Sequence, residues 1–186
     1  ERHLDGKGFS ETQRAIVRRV IHTTADFSFA DTMRFHPDAI ERGRRALAEE
    51  NPVICDVTMV TAGITRTDSE TLCAIHDDDV REAARGADTT RAAAAMEKLA
   101  PRIEGSIVAV GNAPTALRKL LEMSGSGPEP AVVVGMPVGF VGADQAKSAL
   151  ADSELCYITN LGCRGGSGVA ASVVNALATS SPGGQT

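Results

Sequence analysis

The 186-residue chain contains no tryptophan, one tyrosine and five phenylalanines. An aromatic platform for stacking bases or sugars is therefore not expected. A basic stripe is missing too: 19 Lys and Arg stand against 24 Asp and Glu, a net charge of −5, and the cations are spread along the chain. That argues against nucleic acid as a partner, because such binding draws on clustered cations that displace phosphate counterions. No apolar run approaches the ~20 residues of a membrane-spanning helix. No charged start followed by an apolar stretch marks a secretory signal. Neither nucleic acid nor membrane is an expected partner, and the cytoplasm is the expected location. Cysteines number four, at Cys55, Cys73, Cys156 and Cys163, with no Cys-x-x-Cys pair and no histidine at zinc-finger spacing. The first three lie in apolar, strand-like runs, so buried free thiols are expected rather than disulfides or a metal site.

What is present is an alternation of short β-rich runs with longer helical ones. The length suits a single domain over residues 1–186, with 180–186 read as a disordered tail. Strands are predicted at Val53–Val57, Leu72–Ile75, Ile107–Val110, Val132–Val134 and Cys156–Thr159. They are unbroken apolar runs, as in parallel strands covered on both faces. Helices are predicted at Glu11–Thr23, Pro37–Glu50, Thr90–Leu99, Pro114–Met123, Ala143–Ala151 and Ser167–Ala178. Ser10 and Asn112 read as helix-start signals. The pattern implies an α/β fold with a mostly parallel, five-stranded sheet, in which ligands bind beyond the carboxyl ends of the strands.

Three glycine-rich loops fall at such ends: Gly111-Asn112-Ala113-Pro114, Gly135 to Gly142, and Arg164-Gly165-Gly166-Ser167-Gly168. None has P-loop or GxGxxG spacing, which demotes nucleotides. Together they read either as plain turns or as a grip on a large anion through backbone N–H groups and arginines. Asp56 closes a buried strand and is either an acid–base group or an acceptor for loop N–H groups. His22 follows Arg18 and Arg19 by about one helical turn, so a cation shares its face. It reads either as a proton shuttle or as a histidine satisfied at a helix C-terminus. His36, before Pro37, reads as a turn residue, and His76 with its three following aspartates as a solvated strand exit. Arg91 stands in the first turn of a helix, where a cation is mildly unfavourable unless an anionic ligand docks there.

These segments resemble one known family. Arg19-Val20-Ile21-His22, Val53-Ile54-Cys55-Asp56-Val57-Thr58-Met59-Val60, Gly63-Ile64-Thr65-Arg66 and Thr90-Arg91-Ala92-Ala93-Ala94 look like precorrin-8X methylmutase (precorrin isomerase). So do Gly111-Asn112-Ala113-Pro114-Thr115-Ala116-Leu117, Gly135-Met136-Pro137-Val138-Gly139-Phe140-Val141-Gly142 and Gly165-Gly166-Ser167. The order and spacing match from about residue 10 to 178. The resemblance implies a three-layer, flavodoxin-like α/β/α fold, a homodimer, no cofactor and no metal ligand. It implies migration of a methyl from ring carbon 11 to carbon 12, turning precorrin-8X into hydrogenobyrinate, or the cobalt-containing equivalent. The catalytic histidine falls on His22 and substrate-binding arginines on Arg19 and Arg91. Thr65, Arg66, Asn112, Thr115, Gly139, Gly166 and Ser167 are further expected contacts with the tetrapyrrole. The family's N-terminal helix with a substrate-contacting serine is expected upstream of Phe9 but is not matched by the eight residues there. The chain opens at Glu1 rather than Met, as a shortened start would. A non-catalytic tetrapyrrole carrier is the competing reading. A flavin- or phosphate-binding domain rests on the loops alone.

Overall fold

The structure is a computed structural model and describes residues 4–125 and 127–179. The predicted tail at 180–186 lies outside the described residues. The elements run α1 (Glu11–Thr24), α2 (Phe29–Thr32), β1 (Met33–Phe35), α3 (Ala39–Ala48), β2 (Val53–Cys55), α4 (Thr58–Gly63) and β3 (Thr71–Leu72). They continue with α5 (Asp78–Gly86), α6 (Arg91–Lys98), a 3-10 turn at Ala100–Arg102, β4 (Ile107–Val110) and α7 (Pro114–Met123). The last described elements are β5 (Val132–Gly135), α8 (Ala143–Ala151), β6 (Tyr157–Asn160) and α9 (Ser167–Thr179).

Among the described residues the sheet has six strands, in the order β1-β6-β5-β4-β2-β3. The expected five are all parallel, and their order, with the second strand outside the first, is the doubly wound arrangement of flavodoxin-like sheets. The sixth, β1, pairs antiparallel to β6 at the edge, with Met33 opposite Asn160. Its three residues are too few to show an alternating pattern, so it escapes detection from sequence. The strand predicted over Leu72–Ile75 is only Thr71–Leu72, a short edge strand beside β2.

Successive strand residues serve opposite layers. Val53, Cys55, Ile107, Ala109, Val132 and Val134 pack with Val17 and Val20 of α1, Ile40 of α3 and Val173 and Leu177 of α9. Ile54, Val108, Val110 and Val133 pack instead with Met96 of α6, Leu117 and Leu120 of α7 and Leu150 of α8. Both faces are apolar and covered, which is why the runs read as continuous rather than alternating.

Helix boundaries follow local chemistry. Ser10 caps α1 with a full capping box, its hydroxyl accepting from Gln13 N and the Gln13 side chain accepting from Ser10 N at 2.9 Å. Among the described residues, three helices are additional to those expected: α2, a single turn of four residues, α4 and α5. In α4, Thr58, Val60 and Thr61 are β-branched and disfavour a helix in isolation. In α5, only Val80 and Ala84 are buried, too narrow a stripe to stand out. The aspartates after His76 prove to start that helix. Asp77 precedes it, Asp78 and Asp79 fill its first turn, and Lys98 reaches both Asp77 and Asp79 at 2.7 Å. His36 holds its turn, its Nδ1 accepting from Asp38 N at 3.2 Å. All four cysteines are free; Cys55 and Cys156 are buried, Cys73 half-buried and Cys163 exposed.

Candidate active site

The parallel strands change direction of progression between β2 and β4, the place where doubly wound sheets open their ligand crevice. Asp56, one residue past β2, bridges that point. Its carboxylate is 2 % exposed and accepts from Gly111 N, Asn112 N and Ala113 N at 2.9, 2.8 and 2.7 Å. Of its two readings, acceptor for loop N–H groups is the one the geometry matches. Asp56 thereby supplies the cap that the start of α7 lacks from its own neighbours, since Ala113 precedes the helix and Asn112 contributes only its amide. Burial pushes the carboxyl above its usual range, against the downward pull of those amides.

The glycine loops converge beyond the same strand ends. A Cβ on Gly111 would lie 2.6 Å from Ser167 Cα, so only glycine lets α9 begin against the end of β4. A Cβ on Gly165, whose φ is +156°, would lie 2.3 Å from Met136 O. Gly166 N donates to Met136 O at 2.8 Å, and Gly139 N donates to Cys163 O at 3.0 Å. The loops are thus stitched to one another, and the amides of Gly111, Gly139 and Gly166 are engaged by the protein's own acceptors. Arg164, at the mouth of the third loop, is committed elsewhere: its guanidinium binds the Asp26 carboxylate and the Ser28 hydroxyl. The Ser28 hydroxyl and amide, with Arg164 behind them, hold the Asp26 carboxyl below its usual range.

Arg19, Thr23, Gly63, Thr65, Arg66, Gly168, Ser172 and Asn175 line a pocket of about 320 Å³ between α1, the end of α4 and α9. His22 is exposed in the last turn of α1, between the pocket residues Arg19 and Thr23. Asn175 organises the opposite wall. Its Oδ1 accepts from Thr65 N and Arg66 N at 2.9 and 3.1 Å, and its Nδ2 donates to Gly63 O at 2.8 Å. An asparagine inside an alanine-rich helix carried no signal in the sequence. Ser167, buried, opens α9 at the end nearer Gly168.

Arg91 lies elsewhere. With Arg81, Arg85, Asp88 and Thr89 it lines a wider groove of about 580 Å³ between α5 and α6. Thr115 stands near it, its hydroxyl 2.7 Å from that of Thr90, which caps α6. Asn112 is exposed, with its backbone held by Asp56. The expected contacts therefore fall into two arginine-lined recesses and the stitched loops, rather than one closed cavity. Among the described residues, no three histidine, cysteine, aspartate or glutamate side chains gather as a metal-binding set. Nor is any described helix long and apolar enough to cross a membrane.

Residues 1–180 match the family model for precorrin-8X methylmutase. The chain belongs to that family. It is 41% identical over 184 residues to the cobalt-precorrin-8 methylmutase of Priestia megaterium, covering 96% of this chain and 82% of the relative. It is 45% identical over 168 residues to the precorrin-8X methylmutase of Pseudomonas aeruginosa, covering 87% and 81%. The solved precorrin-8X methylmutase of Thermus thermophilus superposes with a TM-score of 0.85 at 37% identity, covering 92% of this chain and 85% of that one. Precorrin-8X methylmutases are methyl-migrating isomerases of cobalamin biosynthesis, and this chain is an enzyme of that kind. The carrier reading is not favoured.

Proposed function

We propose that the chain moves a methyl group from ring carbon 11 to carbon 12 of precorrin-8X, or of its cobalt-containing counterpart, with His22 as the proton donor and acceptor. The observation that carries this reading is the pairing of His22, exposed at the end of α1, with the Arg19- and Arg66-lined pocket one turn away. A shift of this kind is a rearrangement within the ring, so the protein need supply no nucleophile. It has to hold the macrocycle in one orientation, deliver a proton to it and take the proton back. An exposed imidazole beside arginines that bind the ring's carboxylates can do both. Arg19 and Arg66 would clamp acidic side chains on one flank, with Thr65 beside them. Arg91 and Thr115 would take others at the second recess, and Asn112, Gly139, Gly166 and Ser167 would form the wall between.

The protein would act in the cytoplasm as a single domain and as a homodimer. Support for the dimer is apolar surface beyond the strand ends: Met59 is 71 % exposed, Phe140 95 % and Val141 90 %. Free cysteines fit a reducing compartment.

Mixing the protein with precorrin-8X and following the visible spectrum tests the reading, since isomerisation changes the chromophore whereas binding alone only shifts its bands. His22→Ala is expected to bind the tetrapyrrole without converting it. Normal turnover by that variant would remove the central assignment. Sedimentation velocity reads the dimer; a monomer at micromolar concentration would discard it.

A further inference from the structure

Lys147, on α8, is 0 % exposed. Lysines are almost never fully buried unless a partner takes up the charge, because an ammonium loses its hydration there. Here no carboxylate among the described residues forms an ion pair with it. Asp144, one turn earlier, spends its carboxylate on Gly162 N at 2.8 Å. The Lys147 ammonium donates instead to a backbone carbonyl, that of Arg164. Asn160, also 0 % exposed, donates from Nδ2 to the same carbonyl at 2.8 Å, while its Oδ1 is buried with no partner. Two buried polar side chains from α8 and β6 thus converge on one peptide oxygen. Burial draws the ammonium down to about 8, against the upward pull of the nearby Asp144 carboxylate.

The peptide they hold is a junction. The Arg164 side chain leaves it to bind Asp26 and Ser28, in the segment that follows the His22 helix. Its backbone continues into Gly165, Gly166 and Ser167, the start of α9 and one wall of the candidate site. On the other side Cys163 O receives Gly139 N from the loop after β5. Fixing one carbonyl therefore fixes three segments relative to one another. A methionine would fill the same volume without the buried charge, and exchanges of this kind are often neutral or stabilising. Stability alone gives no reason for a lysine at this position.

We infer that Lys147 is a positioning residue for the methyl migration: with Asn160 it pins the Arg164 carbonyl and so holds the Gly165–Ser167 wall in place for the macrocycle. This rests on the function proposed above. A wall that meets the substrate equally before and during the shift affects binding rather than the chemical step.

The test compares the wild-type chain with Lys147→Met and Asn160→Ala. Hydrogen exchange at the Gly166 and Gly139 amides is measured without substrate, and KM and kcat with precorrin-8X. For Lys147→Met the expected result is an unchanged or raised melting temperature, exchange at both amides at least tenfold faster, KM at least tenfold higher and kcat within threefold. Asn160→Ala should loosen the same two amides and raise KM in the same direction. It keeps the inference testable if the methionine variant does not fold. Wild-type exchange and KM in the variants would overturn the inference. So would a loss of activity that merely tracks the folded fraction, or a fall in kcat at constant KM. A wild type that does not convert precorrin-8X would sink the proposed function, whereas the exchange result would still judge the clamp by itself.

Discussion

Replacing Asp56 probes the centre of the fold and separates its two possible roles. In Asp56→Ala the buried Gly111 amide loses its acceptor, and so do the Asn112 and Ala113 amides, which are better placed to find water. A hydrogen bond to a charged group contributes ~1.5–3 kcal/mol, and an orphaned buried donor costs ~1–3 kcal/mol. Removing the buried carboxylate returns part of its desolvation cost, so the net loss is about 3–5 kcal/mol. With an urea m-value of about 2 kcal/mol/M, the midpoint falls by roughly 1.5–2.5 M. Asp56→Asn keeps the shape but offers one oxygen and turns an NH2 toward an N–H, for a loss of about 2–3 kcal/mol. The pH dependence has a definite sign. Burial raises the folded-state carboxyl above its ordinary value of 3.8, so the folded state binds this proton more tightly. The proton-linked part of the stability is then complete below 3.8 and is lost as pH rises through the raised value. The stability gap between wild type and Asp56→Asn should widen on acidification toward that window. Urea unfolding followed by circular dichroism across pH 4–7 reads both effects. Two variants within ~0.5 kcal/mol of wild type, with kcat abolished, would refute the capping argument and restore Asp56 as an acid–base group.

Other outcomes follow from neighbouring geometry. Gly111→Ala drives a methyl into the Ser167 backbone and should cost at least ~2 kcal/mol, lowering the melting temperature by roughly 4–8 °C; scanning calorimetry checks it. Asn175→Ala removes the acceptor for Thr65 N and Arg66 N, and should raise KM while lowering stability by ~1–3 kcal/mol; steady-state kinetics with parallel urea melts read the two. In the folded protein at pH 8, a thiol reagent should modify Cys163 quickly, Cys73 slowly and Cys55 not at all. Burial pushes the Cys55 thiol up to about 12 and that of Cys156 to about 11. The Asp26 carboxyl is held below 3.8, so Asp26→Asn should be less stable than wild type at neutral pH. That gap should close as pH falls through the lowered value, as acid titration of the melting temperature would show.

The layered fold was legible because its causes are local. Val53-Ile54-Cys55, Ile107 to Val110 and Val132 to Val134 are apolar at every position, and only a strand covered on both faces makes that favourable. Ser10 and Gln13 announced α1 through a cap that spans three residues. Motif strings likewise sufficed for the family, since they carry chemistry in a fixed order. What remained hidden depends on residues distant in sequence. Asp56 meets Gly111 to Ala113 across 55 to 57 residues, Asn175 meets Thr65 across 110, and Arg164 meets Asp26 across 138. Lys147 looks like an ordinary lysine on a surface helix until α8 packs over the Arg164 loop. The glycines at 111, 139 and 166 illustrate the division. Sequence marks them as turns at strand ends, where backbone amides are free in the unfolded chain. Only the tertiary structure decides that those amides are taken by Asp56, Cys163 and Met136. Hydrogen-bond partners are assigned by packing, and packing is not a property of any one segment.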